Sequence, residues 1–219
     1  MIANEQDIIA MIPTDRDLDL LRVLTTCTRV LSVGQIASVW WPDCQNVNTV
    51  LHRLKNLERC GWLEQHTINV HPVIHSEEPL FDWMPGDEDP NAEHIAHQAK
   101  RRWTQPSCTT DVCVASRKAA CALGSPACGL PPLERRDHEL HIASVYVHYK
   151  TCRQAVADLW AGASILPRTG YRESCPDAML RDSTGQLVRA IRAVGRCQAT
   201  QVKRFHDYCV EHFLPYELW

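Results

Sequence analysis

The sequence has no apolar run approaching the roughly 18–20 residues that span a bilayer. Its opening, MIANEQDIIAMIPTDRD, has no basic flank leading into a long apolar stretch. The expectation is a chain that is neither secreted nor membrane-spanning, and therefore cytoplasmic. Glycine is sparse, at 9 of 219 residues, and proline is ordinary at 13, and together they are too few for a collagen-like or low-complexity chain. With 45% hydrophobic and 22% charged residues, the composition also excludes intrinsic disorder. The Walker phosphate loop, the dinucleotide fingerprint and the nucleophilic serine elbow are all missing, so nothing points to nucleotide-driven or serine-hydrolase chemistry.

Two features stand out against this background. There are 11 cysteines, an odd number scattered from Cys27 to Cys209, which argues for free thiols rather than a disulfide framework. The net charge of -3 is unevenly divided, with -2 over residues 1–75, -6 over 76–90 and +5 over 91–219. A near-neutral total thus conceals a basic C-terminal half.

Residues 14–61 read as three helices. Thr14 or Asp15 caps the first, whose Leu18, Leu21, Leu24 and Cys27 recur at helical spacing. Ser32-x-x-Gln35 has the form of a capping box and opens a short helix over 33–40. The third runs over 46–59, with Val47, Val50, Leu51, Leu54 and Leu57 on one face and Cys60-Gly61 as its stop. Residues 62–70 then read as a strand and 78–84 as its returning partner. Three helices followed by a two-stranded ribbon is the order of a winged helix, whose third helix enters the major groove.

The polar face of that helix, Gln45, Asn46, Asn48, Thr49, His52, Arg53 and Lys55, carries chemistry suited to base edges and phosphates. Two other readings stay open. The N-terminal region is slightly acidic where a DNA-binding surface should be basic. The same face also suits protein docking or plain solvation.

An acidic turn at 85–90 marks a hinge, followed by a helix over 91–103 ending in Lys100-Arg101-Arg102-Trp103. Those cations suit a phosphate backbone or simply complement the helix dipole. A strand over 109–115 and a short helix over 117–123 come next, then a long helical stretch over 136–160. Strands over 178–181 and 186–194, a helix over 199–213 and a strand over 215–219 make a small α/β layer.

The stretch TDRDLDLLRVLTTCTRVLSVGQIASVWWPDCQNVNTVLHRLKNLERCGWLEQ resembles the winged helix of the replication-relaxation family of plasmid and mobile-element proteins. SRKAACALGSPACG followed by DHELHIASVYVHY is similar to that family's turn-and-glycine segment and its His-Leu-containing helix. The C-terminal part resembles the PD-(D/E)XK, restriction-endonuclease-like core that follows the winged helix in many such proteins. Pro176-Asp177-Ala178 before a strand matches the core's first element, with Asp177 at its first metal-binding carboxylate and Glu173 as an upstream acid.

An active member carries an acid and then a lysine on the next strand, to hold magnesium and assist the attack on phosphate. Here Arg192 and Val194 stand at those places, and no Asp or Glu lies between Asp182 and Asp207. The resemblance therefore implies a catalytically silent core without a metal or cofactor, in which Arg189, Arg192 and Arg196 add contacts to the DNA backbone. A magnesium-dependent endonuclease is the alternative.

Zinc at Cys108, Cys113, Cys121 and Cys128 is disfavoured, because structural zinc sites use close cysteine pairs and only the first spacing comes near. The pairs His94/His97 and His138/His141 share a helix face, which eleven histidines make a weak metal signal. Cys209 near His206 lacks an oxyanion signature.

The expected architecture is α+β, with a winged helix-turn-helix over 1–125 and a small restriction-endonuclease-like α/β domain over 126–219. The expected partner is double-stranded DNA, with a protein of a mobile-element or defence complex as a further candidate.

Overall fold

The computed structural model describes residues 12–166 and 175–219 of an α+β protein. Helix α1 (Asp15–Thr26) begins with a capping box, in which Thr14 Oγ accepts from the Asp17 N–H and the Asp17 carboxylate accepts from the Thr14 N–H. The same device opens α2 (Val33–Trp40), where Ser32 and Gln35 exchange bonds of 2.8 and 3.1 Å. Asn46 caps α3 (Val47–Arg59), accepting from the Asn48 N–H at 3.0 Å. Beyond its last turn Gly61 sits at φ +72°, where a side chain would be strained. Leu20, Leu24, Ile36, Val50, Leu54 and Leu57 fill the space among these helices and are all 1% exposed or less. Truncating one of these leucines to alanine would cost about 2–5 kcal/mol.

A three-stranded antiparallel sheet follows in the order β1-β4-β2, built from β1 (Leu31–Ser32), β2 (Leu63–Val70) and β4 (Cys108–Ala115). The β2–β4 ladder runs from Leu63 opposite Ala115 to Val70 opposite Cys108. This corrects the expected ribbon, because β3 (Phe81–Trp83) pairs with β8 (Tyr216–Leu218) instead. β4 matches β2 in length and buries Val112 and Val114 in one cluster with Ile68 and Val70. β3 gains more from the other sheet, where Trp83 stacks on Tyr216 at 5.5 Å.

The second sheet has the order β3-β8-β7-β6-β5, with β5 (Trp160–Gly162), β6 (Ala178–Arg181) and β7 (Leu187–Arg192). β7 and β8 are parallel and are joined through α8 (Ala199–Glu211), while the other neighbours are antiparallel. Helix α4 (Ala92–Arg102) packs on α8, burying Ile95 and Ala99 with Val202 and Phe205. The acidic turn at 85–90 therefore links two elements of one layer and is not a hinge between halves. Short helix α5 (Arg117–Ala122) caps the end of β4.

Helix α6 (Arg136–Cys152) joins the two layers. Its Ser144 accepts from Gln35 Nε2 of α2 at 3.1 Å, and its Tyr149 hydroxyl donates to Glu217 of β8 at 2.6 Å. Tyr146 and Tyr149 each lie 5.5 Å from Trp160. One core thus contains Leu20 and Leu24 of α1 together with Tyr146, Trp160, Ala178, Ile191 and Trp219.

The helical pattern read over 136–160 breaks at Arg153, resumes for one turn as α7 (Gln154–Ala157), and gives way to β5. The break lets Trp160 join the sheet and donate its indole N–H to the Cys27 carbonyl at 3.1 Å. At Gly162 a Cβ would overlap that carbonyl, so glycine is what allows β5 to lie against the end of α1. No helix among the described residues is long and apolar enough to cross a membrane.

Candidate functional site

The caps that fix the phase of α3 also fix which residues it turns outward. Gln45, Asn46, Asn48, Thr49, His52 and Lys55 are exposed, and Val50, Leu54 and Leu57 face the core. Gln45, Thr49 and Lys55 have no side-chain partner among the described residues. Asn46 is engaged in capping, and His52 reaches only Asn56 at 3.4 Å.

Arg53 belongs to a different surface. Its Nε donates to Asp17 Oδ1 at 3.1 Å and its Nη2 to Asp17 Oδ2, tying α3 to the first turn of α1. Burial pushes the Asp17 carboxyl up, but Arg53 and Thr14 outweigh it and hold the group below the ordinary carboxylate range. Arg53 is thus a structural clamp rather than an open contact.

The C-terminal candidates divide in the same way. Lys100, Arg101 and Arg196 are exposed, whereas Arg102 is half-buried with its Nη1 sealed and unpartnered and its Nη2 donating to Ser76 Oγ at 3.0 Å. Arg189 is held by Asp82 at 2.6 Å and by Glu217 at 3.2 Å, which knits β7 to β3 and β8. Arg192 leaves the opposite face of β7 and lies over the Phe205 ring at 5.0 Å.

Asp177, just ahead of β6, is the focus of a polar cluster. Its Oδ1 accepts from His138 Nε2 at 2.6 Å and its Oδ2 from the Ala193 N–H at 3.0 Å. Burial raises the Asp177 pKa, but His138, Arg192 and the Ala193 N–H together bring it below the ordinary carboxylate value. The Asp177 carboxylate in turn lifts the His138 imidazole above its ordinary value, more than burial lowers it. Asp177 and Arg192 therefore share one neighbourhood, while Glu173 lies outside the described residues.

One turn along α6, His141 is buried against Trp103 at 5.5 Å, and Trp103 contacts His71 at 4.5 Å. Burial pushes His141 down to about 3, so it stays neutral. His138 and His141, which share a face by spacing, thus have separate surroundings. The link between His138 and Asp177 spans 39 positions in the chain, and no local pattern announces it.

The cysteines do not converge. Cys113 is buried in β4 with its thiol pushed up to about 12 by burial, whereas Cys108, Cys121 and Cys128 are exposed. Cys209 is likewise buried and raised to about 12, which is the environment of a packing thiol and not of a nucleophile. Its neighbour His206 bonds the Tyr216 hydroxyl at 3.0 Å and Asp89 at 3.2 Å. No group of three or more His, Cys, Asp or Glu among the described residues is placed to hold a metal ion. No family model, curated protein or solved structure matches the chain.

Proposed function

We propose that this is a cytoplasmic, non-enzymatic DNA-binding protein of mobile-element type, in which a winged helix presents α3 to the major groove and a nuclease-derived layer adds backbone contacts. The observation that carries the reading is the outer face of α3. Asn48, Thr49, His52 and Lys55 project together from a helix whose opposite face is locked in the core, and Gln45 is exposed just ahead of its N-cap. Amides and hydroxyls at the N-terminal end of such a helix suit adenine and phosphate edges, with Lys55 available for phosphate. The β2–β4 ladder supports the winged-helix reading by supplying a two-stranded ribbon after α3, built from a later strand than the sequence pattern indicates.

The closeness of Asp177 and Arg192 supports the nuclease-derived reading of the second layer. Both Asp177 oxygens already have partners, so its carboxylate serves the fold. Fluorescence anisotropy with a labelled duplex tests the reading. Binding that weakens steeply with salt and with Lys55→Ala is expected, and absence of binding to any duplex would refute it.

A second reading, a protein adaptor in a nucleic-acid-processing complex, is favoured by one observation. Val47, at the start of α3, is 53% exposed beside the polar face. A stoichiometric protein partner captured without nucleic acid, and lost in Val47→Asp, would favour it over the first.

A further inference from the structure

Among the described residues, Phe213 is the one non-glycine with a left-handed backbone, at φ +51°. It stands just past the C-cap of α8, where the Leu214 N–H donates to the Cys209 carbonyl at 2.8 Å and the Phe213 N–H to the Val210 carbonyl at 3.1 Å. Glycine suits that place, because without a Cβ the conformation carries no strain. A phenyl ring there gains nothing from burial either, since Phe213 is 81% exposed and has no ring partner among the described residues. Backbone strain combined with an aromatic ring held out in solvent points to a contact outside the chain.

Phe213 has apolar company. Val210, one turn back on α8, is 42% exposed, and Val188 of β7 is 40% exposed. Val188 lies two positions before Ala190 and on the same face of the sheet, and Ala190 pairs with Tyr216 and packs with Phe205 and Cys209 of α8. Because β7 and β8 are parallel, all three lie at the end of the layer where α8 returns to β8.

The charges around this end have one sign. No lysine or arginine follows Arg204 in the chain, and none occurs over 76–90. Glu211 is exposed in the last turn of α8, and the exposed acids Asp87, Glu88 and Asp89 flank the same helix. Asp89 ties that turn to α8 by accepting from His206 Nε2 at 3.2 Å, one turn ahead of Val210. Of the cations nearby, Lys203 pairs with Asp207 at 2.9 Å, and Arg189 is held by Asp82 and Glu217.

We propose that this end of the second layer is a protein-docking surface, on which Phe213 anchors a partner segment carrying lysine or arginine around an apolar centre. An aromatic anchor with an apolar fringe inside a charged rim has the anatomy of a protein interface. The sign of the rim selects a basic partner and repels a phosphate backbone. The surface is therefore separate from the duplex face proposed for α3 and does not depend on it.

The test uses the full chain and a fluorescein-labelled amphipathic peptide of leucine and lysine, with a leucine and glutamate peptide as the charge control. The lysine peptide is expected to bind wild type and to bind Phe213→Gly about tenfold more weakly or worse, while the glutamate peptide does not bind. Glu211→Lys should also weaken the lysine peptide, and Val47→Asp, at the far end of the molecule's candidate surfaces on α3, should leave it unchanged. Phe213→Gly should meanwhile raise the melting temperature by roughly 2–4 °C, because the strain is relieved and no buried contact is lost.

No binding of the lysine peptide, or equal binding by wild type and Phe213→Gly, would overturn the proposal. So would a lower melting temperature in Phe213→Gly, which would give the ring a structural role. Sedimentation of the chain alone separates the remaining occupant, because self-association abolished by Phe213→Gly would assign the surface to a second copy and overturn the basic partner. Duplex affinity is expected to be the same in wild type and Phe213→Gly, so failure of the nucleic-acid reading and failure of this one are distinguishable.

Discussion

The outer face of α3 and the cluster around Asp177 draw on similar residue types and treat them in opposite ways. Thr49 and Lys55 on α3, and Gln45 just ahead of its cap, are solvated and without side-chain partners among the described residues. Around Asp177, the carboxylate is bonded at both oxygens and the adjacent histidine is tethered. The difference comes from the support behind each. A surface helix fixed by its caps needs only one face for the core, so the other is left to solvent. A polar group between a helix and a sheet has to be satisfied internally, and its chemistry becomes part of the fold.

The largest effect is expected at the junction of the two layers. Gly162→Ala places a methyl group against the Cys27 carbonyl, where the obstruction is backbone and cannot swing aside. A loss of about 3 kcal/mol is expected, a fall of roughly 6–12 °C in melting temperature. A melting temperature within a degree of wild type would show that the layers are not docked as described.

The next test concerns two cations two positions apart on α3. Arg53→Ala leaves the buried Asp17 carboxylate without its main partner and should cost about 1–3 kcal/mol of stability. Lys55→Ala should change stability by less than about 0.5 kcal/mol. Denaturant titration of both variants checks the contrast, and equal losses would erase the distinction between clamp and contact.

Acid unfolding separates the buried from the tethered histidine. His141 is held near 3 against an ordinary 6.5, so the unfolded chain binds its proton more readily and stability falls as pH drops from about 6.5 toward 3. His138 is raised, so its contribution is full below about 6.5 and is lost as pH rises through its higher folded value. Asp177 is lowered, so its contribution is present above about 3.8 and is lost in stronger acid. His141→Leu should therefore move the acid-unfolding midpoint to lower pH, and His138→Gln should remove the gain on the acidic side of neutrality. Circular dichroism against pH reads both, and an acid midpoint unchanged in His141→Leu would contradict the assignment.

Much of the N-terminal unit was legible because its signals are local. Thr14, Ser32 and Asn46 sit at helix starts as capping residues should, and Gly61 follows the last turn of α3 at positive φ. Those caps set the helical phase, and with it the outward set Asn48, Thr49, His52 and Lys55. Pairing was not legible in the same way. Residues 78–84 and 108–115 both look like strands, and which of them joins β2 is decided by Val112 and Val114 sharing one buried cluster with Ile68 and Val70, although their register partners are His66 and Glu64. The end of α6 was obscured because Val156 and Ala157 continue a helical rhythm past Arg153, and Trp160 leaves it for contacts with Cys27 and Tyr146. Arg53 and Arg189 read as open cations because the acids that claim them, Asp17 and Asp82, are 36 and 107 positions away.

The salt dependence of duplex affinity in wild type and Lys55→Ala separates a DNA-reading α3 from one whose outer face is merely solvated. Wild type is expected to give specific anisotropy changes, with an affinity falling roughly 100-fold between about 50 and 200 mM salt for some four phosphate contacts, and Lys55→Ala a slope shallower by about one unit. Duplex binding that ignores salt and is unchanged by Lys55→Ala, or no binding at all, would contradict it.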